Sequence, residues 1–220
     1  MNVPPLIRSV LAVVIVCATA FEGRGQDVPA TQPTVTRDAF VKEINAMGMA
    51  LLDVMPADEA ALKDPVKRAE VGQLAIPIVK KALAAIDRAP LTCGGGNMSP
   101  MKAEWEPMLI FFGDEEFTRL VQRQAAGNDE AAFNAQLNLA LANAALAMDD
   151  KEKTESFVKK IVDLARQKPE SERATLALIR MKDDERLGDT SRQGVQSALD
   201  QATSPTAISL RPYLTTKPAP

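Results

Sequence analysis

The sequence predicts an all-α protein, either an irregular antiparallel helical bundle or a short run of stacked helical hairpins, with about seven to nine helices. Three observations predict it. Apolar residues past the first three dozen positions recur at three- and four-residue spacing, which draws one stripe down a helix. The 46% hydrophobic content is carried by alanine, leucine and methionine, with aromatics at only 4%, and these are helix formers. Prolines and short polar residues stand where helices start and stop, and no alternating run or Asn-Gly or Asp-Gly hairpin signal marks a strand.

The elements follow in order. Residues 1–20 have the three parts of a secretory signal: a basic start with Arg8, an unbroken apolar run from Val10 to Ala18, and the small-x-small Ala18-Thr19-Ala20, with cleavage expected after Ala20. The apolar run is about half the length a membrane span needs. Residues 21–36 are rich in Gly, Pro, Thr and Gln and read as a flexible spacer.

The helical domain is expected over residues 37–204. Asp38 can cap a helix carrying Phe40, Ile44, Met47, Leu51 and Met55, closed by Pro56. A short helical turn over residues 57–63 leads to Asp64-Pro65, an N-cap followed by proline at the first helical position. Val71, Leu74, Ile78, Leu83 and Ile86 set the inward phase of that helix, with a kink or break expected at Pro77. Residues 90–98 (PLTCGGGNM) read as a loop joining two possible halves, 37–89 and 99–204.

Ser99-Pro100 starts the next helix, Pro107 is expected to disturb it, and Gly113-Asp114 ends it and caps its successor, which holds Phe117, Leu120 and Val121. Asn128 is expected to cap a long helix whose stripe is Phe133, Leu137, Ala140, Leu141, Ala144, Ala145 and Met148. Alanines on such a stripe let a neighbouring helix approach closely. Phe157, Val158, Ile161, Val162 and Ala165 mark the following helix, which Pro169 ends. Ala174, Leu176 and Ile179 mark another, ending near Gly188, and Asp189 or Thr190 is expected to cap a last one, with Val195, Ala198, Leu199 and Ala202 inward. Residues 205–220 are expected to form an extended tail, fraying beyond Tyr213. The helix pair over residues 128–169 resembles a tetratricopeptide-like hairpin in its length and terminal proline. That family's Trp-Leu-Gly-Tyr spacing is absent, and the pattern does not recur at a fixed period, so a plain bundle is the better expectation.

Composition narrows function. The chain has no histidine, which removes Ser-His-Asp and Cys-His catalysis, His-ligated zinc and His-ligated haem. Any catalysis falls to carboxylate, lysine, tyrosine or cysteine, so the inventory leans away from an enzyme, and no cofactor is expected. The 26 basic and 29 acidic side chains include only Arg8 within the first twenty residues. The remainder is acidic, with no basic stripe, and nucleic acid is not an expected partner. No stretch after the signal is long and apolar enough to span a bilayer.

Cys17 invites a lipid anchor, but the bulky Val16 stands where a lipobox wants a small residue. Once the signal leaves, Cys93 is the sole thiol and no intrachain disulfide is possible. Cys93 with Met98 and Met101 is the candidate metal set, because soft sulfur ligands select Cu(I); redox chemistry at Cys93 beside Gly94, Gly95 and Gly96 is the related alternative. Met108 is a further sulfur nearby. The acidic clusters Asp114-Glu115-Glu116, Asp149-Asp150 and Asp183-Asp184-Glu185 read as solvated helix ends, and Trp105 as an anchor between helices. The leading expectation is an exported, non-enzymatic helical module that binds or scaffolds another protein; the alternative is the sulfur-based function.

Overall fold

Capped starts and proline- or glycine-marked stops divide the described residues into nine α-helices, as seen in a computed structural model. It describes residues 37–89, 99–147, 150–182, 184 and 187–214. Helix accounts for 84% of these, and no strand occurs among them. In order they are α1 (Arg37–Val54), a 3-10 turn (Glu59–Lys63), α2 (Pro65–Arg88), α3 (Ser99–Phe111), α4 (Glu115–Gln124), α5 (Glu130–Leu146), α6 (Lys151–Gln167), α7 (Glu172–Lys182), α8 (Asp189–Gln201) and α9 (Pro205–Leu214). The expected all-α class is what the chain adopts. The signal, spacer and glycine-loop readings, at residues 1–36 and 90–98, lie outside the described residues.

Packing sorts the chain into two compact units, one reaching Thr118 and the other beginning at Arg119. The division therefore falls inside α4 rather than at the glycine loop.

In the first unit α2 is the hub, with α1, the 3-10 turn and α3 all packed on it. Asp64 accepts the Val66 N–H at 2.8 Å and Pro65 follows it, so the start of α2 is built as the sequence implied. The helix then runs through Pro77 without interruption. Likewise α3 continues through Pro107. A proline removes the bond to the carbonyl four residues back and its ring crowds that carbonyl, a local cost that packing against neighbouring helices offsets.

Of the expected α2 stripe only Ile86 is fully buried. Gly72, Ala75, Val79, Ala82, Ala85 and Ile86 are buried, whereas Leu74 is 59% exposed and Val71, Ile78 and Leu83 are half-buried. Small side chains won this face because they let the neighbouring backbone close in. A Cβ added at Gly72 would stand 2.6 Å from the Phe112 carbonyl oxygen. On α1, Phe40, Ile44 and Leu51 are buried as expected, and Arg88 of α2 reaches back to Glu43 at 3.1 Å.

The second unit is a short stack. Helices α5 and α6 pack extensively on each other, α7 and α8 form a second pair set against α6, and α9 lies on α7 and α8. Its core is Phe133, Leu137 and Ala140 of α5, Val158, Ile161 and Ala165 of α6, Leu178 of α7, and Val195 and Leu199 of α8, among others. The cap of α5 is Asp129, whose carboxylate accepts the Ala132 N–H at 2.8 Å. Asn128 was one residue early, because an N-cap side chain reaches only the second or third residue beyond it. Leu176 and Ile179 are half-buried while Ala177 and Leu178 fill the core. Helix α7 ends at Lys182, short of Gly188, and Gly188 stands at the N-cap of α8 in place of the expected Asp189 or Thr190, which lie inside the helix.

The expected extended tail is helical through Leu214. Ser204 supplies the reason. Its Oγ accepts the Ala207 N–H at 3.1 Å, Pro205 presets the first helical turn, and the Arg211 side chain bonds the Ala202 carbonyl at 2.9 Å.

Candidate functional site

Of the sulfur set, Cys93 and Met98 lie outside the described residues, as do Cys17 and the cleavage position after Ala20. Met101 is placed in the first turns of α3 and is 8% exposed; Trp105, one turn on, is 2% exposed and Met108 is 4% exposed. These three belong to a helix buried around most of its circumference, with Ala103, Leu109, Ile110 and Phe111 also enclosed. Met101 and Met108 thus act as core filler, the ordinary use of a flexible thioether, and Trp105 as a helix anchor. Among the described residues no group of three His, Cys, Asp or Glu side chains is gathered to hold a metal ion.

The best-defined constellation of the first unit is the corner after α3. The Asp114 N–H donates to the Leu109 carbonyl at 2.8 Å and the Gly113 N–H to the Ile110 carbonyl at 3.1 Å, the paired bonds of a Schellman stop. That stop needs a left-handed residue, and Gly113 provides it with φ at +85°. Asp114 then turns from closing α3 to opening α4. Its carboxylate accepts the Phe117 N–H at 2.9 Å, and Lys80 of α2 meets its other oxygen at 2.6 Å. Burial by itself would raise the Asp114 pKa. Hydrogen bonds from Lys80 and the Phe117 N–H, with the Lys80 charge and the Glu116 N–H, outweigh it and hold the carboxyl below its ordinary value. Arg68 ties the same region together: it donates to the Leu62 carbonyl at 3.0 Å and lies 5.7 Å from the centre of the Phe111 ring. Lys102 pairs with Asp87 to join α2 and α3. In this corner Lys80, Asp114, Arg68, Lys102 and Asp87 hold helices together.

The second acidic cluster is also a helix start. Asp150 caps α6 by accepting the Lys153 N–H at 3.0 Å. The Lys153 ammonium, hydrogen-bonded at 2.7 Å, and that N–H lower its pKa in the open. Asp149, Asp183 and Glu185 lie outside the described residues.

In the second unit the polar groups gather where α7 meets α9. The Thr175 and Ser204 hydroxyls, 1% and 0% exposed, are hydrogen-bonded at 2.8 Å. Glu172, in the first turn of α7, accepts the Thr206 N–H at 3.1 Å, and the Thr203 N–H donates to the Pro169 carbonyl at 2.8 Å. Arg173 is buried on α7, and burial pulls the Arg180 guanidinium down to about 9, still protonated at neutral pH. Beyond this seam Ala207 is 1% exposed, while its neighbour Ile208 is 58% exposed. The last helix of the stack is therefore fastened on one side and presents an apolar residue to solvent on the other.

Neither Ile208 nor the Thr175–Ser204 seam was singled out by the sequence. The only signal was Ser204-Pro205 itself, which has the form of a cap followed by a first-turn proline. No helix among the described residues is long and apolar enough to cross a membrane. No family model, curated protein or solved structure matches the chain.

Proposed function

We propose that the chain is exported and that its helical part is a protein-binding module of the envelope or extracellular space, with no catalytic role of its own. Export rests on the residues of the signal: Arg8, the apolar run from Val10 to Ala18, and Ala18-Thr19-Ala20. Binding rests on one structural observation. Helix pairs α5 with α6 and α7 with α8 pack on one another and are followed by α9, whose Ile208 stands exposed. Helical stacks of this kind offer extended faces on which a partner's amphipathic helix lays its apolar side. A partner of that chemistry covers Ile208 and extends the stack by one element.

The test has two arms. Intact mass of the protein recovered outside the cytoplasm should begin at Phe21; retention of residues 1–20 in all of it contradicts export. Affinity capture from the envelope fraction should return one stoichiometric protein with the wild type and lose it with Ile208→Glu at unchanged helicity. Equal recovery by both proteins, or none by either, contradicts the binding reading.

A further inference from the structure

We draw no further inference here: the strongest candidate, the exposed apolar side of helix α2 where Val66 and Leu74 stand in solvent, carries nothing because the structure does not show what covers it.

Discussion

A Cβ added to Gly72 would fall 2.6 Å from the carbonyl oxygen of Phe112, so the hub helix of the first unit touches the end of α3 backbone to backbone. The obstacle is a peptide oxygen held in the Schellman stop, which cannot swing aside as a long side chain would. Gly72→Ala should therefore destabilise the protein. Overpacking costs roughly 1–3 kcal/mol, against about 1 kcal/mol gained from helix propensity. Urea unfolding checks it, and a variant as stable as wild type would mean that α2 and α3 are not in this contact.

Gly194 gives the opposite sign for the same substitution. It lies within α8, with nothing within 4 Å of an added Cβ. Gly194→Ala should raise stability by about 0.5–1 kcal/mol, through helix propensity and a less flexible unfolded chain. A lower melting temperature would contradict the placement of that residue in an open stretch of helix.

The Lys80–Asp114 pair makes a prediction about pH. Because the folded-state pKa of Asp114 is lowered, its contribution is present above the ordinary carboxylate value and disappears as pH falls through the folded value. Half of the Lys80 side chain is exposed, so the pair is screened and contributes about 1 kcal/mol. Asp114→Asn should be less stable than wild type at neutral pH, and the gap should close in acid. A gap that stays constant down to about pH 2 would show that the charge of Asp114 has no part in it.

At the α7–α9 seam, Ser204→Ala removes a cap and leaves the buried Thr175 hydroxyl without its partner. Together these losses cost about 2–3 kcal/mol. Adding Thr175→Val removes the stranded hydroxyl, so the double variant should be more stable than the sum of the two single losses implies. Strict additivity in a double-mutant cycle would argue against the 2.8 Å bond.

The sequence announced its helices because caps and stops are local. Asp64-Pro65 and Gly113-Asp114 each state a start or an end within two residues, and both were read correctly. The tail, expected to be extended, is helical because Ser204-Pro205 carries the same kind of local start signal. The phase of α2 was misread for a different reason. Leu74 and Ile78 carry more hydrophobicity than Gly72 and Ala75, so a stripe judged by greasiness points the wrong way when the decisive quantity is how closely two backbones approach. Lys80 meeting Asp114 across thirty-four residues leaves no local trace at all. The sulfur set is drawn from nearness in sequence; of its members Met101 lies among the described residues, buried on α3.

The binding claim is tested most directly by placing p-benzoylphenylalanine at position 208, and separately at the exposed Lys159 of α6, in cells producing the full chain. Irradiation should give one discrete protein adduct from position 208, absent from position 159 and diminished when unlabelled wild-type protein is supplied in excess. No adduct at 208, or the same adducts from both positions, would contradict a partner seated on the end of the helical stack.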